Sequence, residues 1–261
     1  MPGRSKSADT LRSFAVVIPM YNEEDSAERA VREVMAALER HRRRSALITV
    51  DDGSRDGTAA VLSRLVPMFD RLICVRHDVN RGYGAALQTG AREAAVRSFD
   101  YALYMDSDLT NNPDDISTFV GYMDEDVDVI KATRHSGGGQ MRGVPVQRVV
   151  VSALGNRVAR FLFRLPLHDC TNGFRAVRVP ILQQMDLTER RFPVIMEELY
   201  WCKFLARTYA EVPVVLTNRD AAVRPSSFTY SPSVFWRYLR YPLLAFLGVR
   251  PAGLRRRPYT R

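Results

Sequence analysis

The sequence has few of the features that mark a secreted or membrane-spanning chain. Its three cysteines, Cys74, Cys170 and Cys202, are odd in number and scattered without a zinc spacing. That argues against a disulfide framework and for reduced thiols. Residues 1–13 are polar and basic with no apolar stretch, so no secretory signal is expected. No window of about 18 residues is free of charge, which argues against a spanning helix. The four histidines, His41, His77, His135 and His168, show no metal spacing and read as surface or loop residues. No G-x-S-x-G precedes a helix, which argues against an esterase. The signatures of nucleic-acid modules are absent too, and no nucleic-acid partner is expected. There is no internal repeat and no long low-complexity segment.

What remains is an ordinary globular composition with an uneven charge. The 261 residues are 46% hydrophobic and 26% charged, enough for one α/β domain or two small ones with a real core. The net charge is +9, concentrated at Arg40, Arg42, Arg43 and Arg44 and again at Arg250, Arg255, Arg256, Arg257 and Arg261. Such runs are either solubilising faces or sites for anionic lipid and phosphorylated ligands.

The first half alternates strand-like and helix-like segments. Strands are expected at 14–19, 47–50, 72–75, 101–105 and 127–132. Amphipathic helices are expected at 25–40, where Ala30, Val31, Val34 and Leu38 share a face, at 58–66 and at 84–96. Pro113 suits a helix start that Asn112 can cap. Helices at 146–165 and 194–206 and a strand at 209–217 follow. Residues 234–249 mix aromatics, aliphatics and two arginines, with Pro242 interrupting them. This alternation predicts a mostly parallel sheet covered by helices on both faces, with ligands beyond the carboxyl ends of the strands.

The unusual residues do fall at those ends. In the run from Tyr101 to Asp108 an apolar strand closes on Asp106-Ser107-Asp108. Residues i and i+2 of an extended chain point to one side, and two such carboxylates are costly unless a cation lies between them. Mg²⁺ or Mn²⁺, sharing its other ligands with a diphosphate, fits that pair; an exposed acidic turn is the plainer alternative. Asp51-Asp52-Gly53-Ser54 ends the second strand, where a carboxylate can accept from a base or ribose. Asn80-Arg81-Gly82-Tyr83-Gly84 is partly like a dinucleotide fingerprint, but Leu87 holds the third glycine's place and the loop follows the third strand.

Together, V-V-I-P-x-Y-N-E-E, V-D-D-G-S-x-D-G-T, N-x-G-x-G-x-A-L and M-D-S-D-L resemble the inverting glycosyltransferases of family 2, which have the GT-A fold. Arg148 with Ser152 and Asn156, then Asp169-x-x-x-Gly173-Phe174-Arg175, then Glu211-Val212-Pro213-Val214 with Arg219, are similar to the polyprenyl-phosphate (dolichyl-phosphate) mannose synthase branch. The resemblance spans roughly residues 14–219. It implies an α/β GT-A fold with a Rossmann-like nucleotide-binding half, organised as a flexible N-terminus at 1–13, a catalytic domain at 14–230 and an amphipathic, basic segment at 231–261.

By the same resemblance, Pro19, Tyr21, Glu23, Val50 and Asp52 line the nucleotide's base and ribose. Asp106, Ser107 and Asp108 face the diphosphate and a Mg²⁺ or Mn²⁺ ion. Thr110 stands where a further metal ligand, often glutamine, is expected. Arg134 reaches phosphate groups, Arg148 and Ser152 take the acceptor's phosphate, and Arg219 approaches the donor diphosphate. The catalytic set is then Asp106, Asp108, Arg134 and Arg219. The family's G-x-S-K-like loop is replaced by residues 221–227, where Arg224 is the available cation.

The activity implied is metal-dependent, inverting transfer of a hexose, mannose first, from a nucleotide diphosphate sugar such as GDP-mannose to a polyprenyl phosphate. The enzyme would be peripheral on the inner, cytoplasmic face of an anionic membrane, with 231–261 either on the lipid surface or packed as a core helix with a solvated tail. Two alternatives stand beside it. One is a UDP-sugar transferase with a hydroxyl acceptor and Glu197 as base, although Glu197 and Glu198 also read as a solvated helix face. The other is a non-catalytic nucleotide-sugar-binding protein.

Overall fold

The computed structural model describes residues 11–217 and 232–254. Arg219, the 221–227 loop with Arg224, the arginines beyond residue 254 and residues 1–10 lie outside them. The first half follows the expected alternation: β1 (Phe14–Met20), α1 (Glu24–Glu39), β2 (Ser45–Asp51), α2 (Thr58–Leu65), β3 (Leu72–Arg76), α3 (Tyr83–Val96), β4 (Tyr101–Tyr104), α4 (Ile116–Asp124) and β5 (Val129–Thr133). Asn112 caps the short turn before α4, its side chain accepting from the Asp114 N–H beside Pro113. After β6 (Gln140–Met141) come α5 (Val146–Phe163), β7 (Arg175–Arg178), α6 (Val179–Leu182), α7 (Val194–Leu205), β8 (Tyr209–Pro213), β9 (Val215–Leu216) and α8 (Pro232–Phe246).

The main sheet has the order β3-β2-β1-β4-β7-β5-β8. β1 to β4 are parallel, so their carboxyl ends share one edge. β7 runs antiparallel between β4 and β5, and β8 is parallel to β5. Side-chain alternation splits the core into two layers. Phe14, Val16, Ile18 and Met20 join α1 and α4 on one face. Ala15 and Val17 join α3, α7 and part of α8 on the other. This layering is the α/β sandwich with a mostly parallel sheet that the alternation implied.

Three sequence expectations need correction. β7 was not foreseen as a strand, because two arginines in four residues do not look like the middle of a sheet. Both are buried and paired, Arg175 with Glu198 and Arg178 with Asp126 and Asp128. Residues 209–217 are two strands in two sheets: past Pro213 the chain leaves β5, and Val215–Leu216 pairs with Gln140–Met141. Pro242 does not interrupt the C-terminal segment but sits inside α8. A helix-interior proline forfeits one hydrogen bond. Burial of the neighbouring Tyr241 and Ala245 in the α7 layer offsets that loss. The early arginine cluster largely serves the fold, with Arg43 bidentate to Asp124 and Arg40 paired to Asp114.

Close packing of α3 on β1 rests on Gly90, where an added Cβ would overlap the Val17 Cγ1 methyl. Alanine is otherwise the better helix residue by about 1 kcal/mol, but overpacking costs roughly 1–3 kcal/mol. Gly90→Ala is therefore expected to lower the thermal midpoint, and Val17→Ala to recover part of that loss in the double variant. A double-mutant cycle by thermal unfolding measures the coupling; strict additivity would mean that α3 simply slides away.

Candidate active site

The loops after β1 and β2 are locked to each other by backbone–side-chain hydrogen bonds. The Asn22 N–H donates to Ser54 Oγ (2.9 Å), and Asn22 Oδ1 accepts from the Arg55 N–H (2.9 Å). The Glu23 N–H donates to Thr58 Oγ1 (2.8 Å), and Glu24 Oε2 accepts from the Gly57 N–H (2.9 Å). Asn22 takes a left-handed φ of 54° to make this possible, a conformation asparagine tolerates better than most residues. The lock presents Tyr21 and Glu23 half-buried at the sheet edge, while Pro19 and Val50 are register partners across β1 and β2. The Glu23 carboxylate accepts from Ser26 Oγ (2.6 Å).

The two aspartates at the end of β2 part company. Asp51 Oδ1 accepts from the Ser54 N–H, and its Oδ2 lies 3.3 Å from Arg76 Nε. Asp52 is 3% exposed. Its Oδ1 is 2.7 Å from His77 Nδ1 and accepts from the Arg81 N–H, while Oδ2 accepts from the Gly82 N–H. Asp52 thus clasps the loop after β3 as well as facing the strand ends. His77, expected at the surface, is 5% exposed and bridges Asp52 to Thr89 Oγ1 (2.9 Å). Its place directly after β3, beside the β2 carboxylates, was the available signal. Gly53 (φ 70°) admits no side chain, since a Cβ would lie 2.6 Å from the Asn80 nitrogen.

Asp106 and Asp108 sit half-buried just past β4, with Ser107 buried between them. Tyr83 Oη donates to Asp106 Oδ1 (3.1 Å). The N–H and hydroxyl of Thr110 both donate to Asp108 Oδ1 (3.1 and 3.0 Å), so the Thr110 hydroxyl here supports Asp108. Buried Asn111 follows, with an amide oxygen that lacks a hydrogen-bond partner. Sequence reasoning passed over it. Among the described residues no three His, Cys, Asp or Glu side chains cluster as a metal cage. Two carboxylates with further oxygens from a diphosphate and water are the donor set Mg²⁺ or Mn²⁺ accepts, so the residues present fit such an ion at Asp106 and Asp108.

Cations gather on the other side, around residues 169–175. Fully buried Asp169 takes Arg134 Nε on Oδ2 (2.7 Å) and Nη2 on Oδ1 (2.9 Å). Burial by itself would raise the Asp169 carboxyl, but the Arg134 charge and hydrogen bonds outweigh it and bring it down to about 2. Lys131 donates to the Asn172 carbonyl (2.8 Å); burial, with Arg175 alongside, lowers its ammonium to about 8. Ser152 Oγ lies 3.3 Å from His135 Nε2, next in sequence to Arg134. Arg148 is exposed in the first turn of α5, one turn before Ser152 and on its face. The structure therefore sets Ser152 beside His135, turns Arg134 onto Asp169 and leaves Arg148 exposed.

Glu197 and Glu198 are not on a solvated face. Glu198, 1% exposed, holds Arg175 through Nε (2.5 Å) and Nη2 (2.8 Å). Glu197, 4% exposed, accepts from the Thr188 and Glu189 N–H groups and the Thr188 hydroxyl. The first turn of α7 buries its apolar and acidic positions alike, which periodicity could not reveal.

A sheet whose strand ends carry an acidic pair, facing a cluster of arginines, is the architecture of a sugar-nucleotide transferase. Residues 15–186 match the family model of glycosyl transferase family 2, and the chain belongs to that family: it is a glycosyltransferase. It is 30% identical over 216 residues to a polyprenol monophosphomannose synthase of Mycolicibacterium smegmatis, covering 81% of this chain and 80% of the relative. It is 25% identical over 207 residues to an undecaprenyl-phosphate mannosyltransferase of Micrococcus luteus, covering 78% and 83%. Among solved structures, glucosyl-3-phosphoglycerate synthase of Mycobacterium tuberculosis superposes with a TM-score of 0.63 over 94% of this chain and 83% of that one, at 21% identity. That likeness shows the GT-A fold.

The Asp169–Arg134 pair predicts an acid limb. A carboxyl whose folded value is depressed from 3.8 to about 2 stabilises the fold fully above its ordinary value and loses that contribution as pH falls through the folded one. The shift corresponds to about 2 kcal/mol. Urea unfolding of wild type and Asp169→Asn should differ most near neutrality, with the gap narrowing as the pH falls below about 4. A gap independent of pH would mean that the pair is not what Asp169 contributes.

Proposed function

We propose that the chain transfers a hexosyl group, mannosyl first, from a nucleotide diphosphate sugar to a polyprenyl phosphate with inversion, assisted by Mg²⁺ or Mn²⁺. The observation that carries this reading is the acidic pair Asp106 and Asp108 at the carboxyl edge shared by β1, β2 and β4; Arg134, Arg148 and Ser152 are the residues we assign to the acceptor phosphate. The relatives named above as polyprenol and undecaprenyl-phosphate mannosyltransferases support the acceptor class. The Mycobacterium tuberculosis neighbour, solved with Mn²⁺ and UDP, is consistent with a divalent ion.

In this reading Tyr21, Glu23, Pro19, Val50 and Asp52 surround the nucleoside, and Asp106, Ser107 and Asp108 face the diphosphate. The ion held by Asp106 and Asp108 would neutralise charge on the departing diphosphate. An acceptor phosphate oxygen forms the new bond to the anomeric carbon, and the electron pair of the broken bond leaves with the nucleoside diphosphate. The acceptor phosphate is already ionised near neutral pH, so it needs positioning more than deprotonation. Arginine forks suit its oxygens; Asp169 takes the Nε–Nη2 edge of Arg134, so we assign the phosphate first to the fork that Arg148 exposes on α5, with Arg134 adding charge nearby. A hydroxyl acceptor would need a base, and the buried Glu197 carboxylate is already engaged by the 188–189 backbone.

The lipid substrate also gives a role to an otherwise unexplained surface. α5 exposes Val150, Leu154 and Phe161, and α8 exposes Phe235 and Trp236. Phe161 stacks on Phe246 with centroids 5.9 Å apart, joining the two helices into one face with Arg164 over Phe246. Aromatic and aliphatic groups interleaved with arginines fit the interface of an anionic membrane. Among the described residues no helix is long and apolar enough to cross one. We place the enzyme at the cytoplasmic face.

Two experiments test this. A donor screen of GDP-mannose against UDP-sugars, with a short polyprenyl phosphate and Mn²⁺, should select one donor. Arg148→Ala should then raise the acceptor KM by about tenfold or more without changing donor KM, the scale of a lost charge-assisted contact. Full activity in Arg148→Ala would sink the lipid-phosphate reading. Separately, Phe161→Asp/Trp236→Asp should lose flotation with anionic liposomes, while equal flotation would remove α5 and α8 from the account.

A further inference from the structure

Residues 187–192, between α6 and α7, lie across the turn that opens α3. The Gly84 N–H donates to the Arg190 carbonyl (2.8 Å). A Cβ at Gly82 or Gly84 would collide with the Arg190 or Glu189 carbonyl, so the two backbones touch. The Phe192 ring sits 4.7 Å from the Tyr83 ring, tilted by 34°. Glu197 clamps this segment from α7: Oε1 accepts from Thr188 Oγ1 (2.7 Å), Oε2 from the Glu189 N–H (2.8 Å), and both are 3.0 Å from the Thr188 nitrogen. On the outside, Tyr241 of α8 donates to Glu189 Oε1 (3.1 Å).

Tyr83 carries that support to the acidic pair. Its hydroxyl donates to Asp106 Oδ1. Gly173 closes in from β7's side, since a Cβ there would lie 3.2 Å from Asp106 Oδ2 and 3.3 Å from Tyr83 Oη. A tyrosine phenol keeps its proton near neutral pH, so the Tyr83 hydroxyl is the donor in this pair. A half-buried donor fixed by ring packing, aimed at one oxygen of a carboxylate, selects that carboxylate's rotamer.

Resting on the reading of Asp106 as a donor-facing carboxylate, we propose that Tyr83 is a positioning residue that fixes Asp106 for the sugar nucleotide's diphosphate. Glu197 acts one step further back, holding the 188–192 segment on which Tyr83 leans. This gives Glu197 a role in donor affinity in place of proton abstraction.

The test compares Tyr83→Phe, Glu197→Gln and Asp106→Asn in the full chain, using GDP-mannose or UDP-glucose, whichever the wild type binds, with Mn²⁺ and a short polyprenyl phosphate. Tyr83→Phe keeps the ring and loses one hydrogen bond to a charge, so donor Kd and KM should rise about tenfold. Acceptor KM and kcat at saturating donor should stay near wild type. Glu197→Gln should shift donor KM the same way, more weakly, with an unchanged pH profile. Wild-type donor binding in Tyr83→Phe, with binding lost in Asp106→Asn, overturns the positioning role and leaves the donor reading intact. Undiminished donor binding in Asp106→Asn overturns the donor reading itself. If Glu197→Gln binds donor normally but loses kcat and a limb of its pH profile, Glu197 is a base and the clamp is wrong. Should that variant fail to fold, Thr188→Ala removes one clamp hydrogen bond; an unmoved donor KM there also overturns the clamp.

Discussion

The β5–β7 half of the molecule depends on one buried ion pair. Arg175 is fully buried in β7, opposite Tyr104 in the sheet register, with its guanidinium 4.4 Å from the centre of that ring. Glu198 supplies both carboxylate oxygens, and the Gly173 carbonyl takes Nη1 (2.8 Å). Burying two charges is repaid only when geometry and remaining hydrogen bonds are good; removing either partner costs roughly 3–5 kcal/mol. Here the pair ties an antiparallel strand in mid-sheet to α7 and sets Gly173 against Asp106. Lys131, whose ammonium burial and Arg175 together weaken, completes a cationic floor held in place by Asp169 and Glu198.

That arrangement divides the site electrostatically. Carboxylates occupy the ends of β1, β2 and β4, where parallel pairing aligns them; arginines and a lysine occupy β5, β7 and the start of α5. The edge that suits a divalent ion and the basic residues thus come from different strands of one sheet. The division also explains why Asp52 is buried and multiply bonded. With His77, Arg81 and Gly82 it fixes the height of the β3–α3 turn, and through that turn the position of Tyr83.

Much of the β1–β4 edge could be read from the chain because its residues lie where a parallel strand ends, and strand ends are visible as apolar runs stopped by Asp, Asn or Gly. The 106–108 pair, the 51–53 turn and the 80–84 loop all fall on that edge. The β5–β7 side was harder to read for physical reasons. β7 carries its neutralising partners at 126, 128 and 198, far away in sequence, so Arg175 and Arg178 look like surface residues. Glu197 and Glu198 look solvated because a helix with buried acids shows no apolar stripe. His77 was misplaced because a lone histidine has no spacing to interpret. Pro242 was given too much weight: packing around Tyr241 and Ala245 outweighs the single hydrogen bond it removes.

The lock between the β1 and β2 loops has a consequence for how the enzyme comes into being. Its hydrogen bonds join residues 22–24 to 54–58, and the Asp52 clasp adds 77–82. The loops also have local bonds, such as Ser54 N–H to Asp51 Oδ1 and Thr58 to Asp56, but those do not join one loop to the next. Such long-range closure is assembled late, after the strands have found one another. A nascent chain that stops after β2 has neither the 54–58 half of the lock nor the 77–82 half of the clasp. The complete edge is therefore an all-or-none property of the assembled sheet, absent from any fragment that ends before α3.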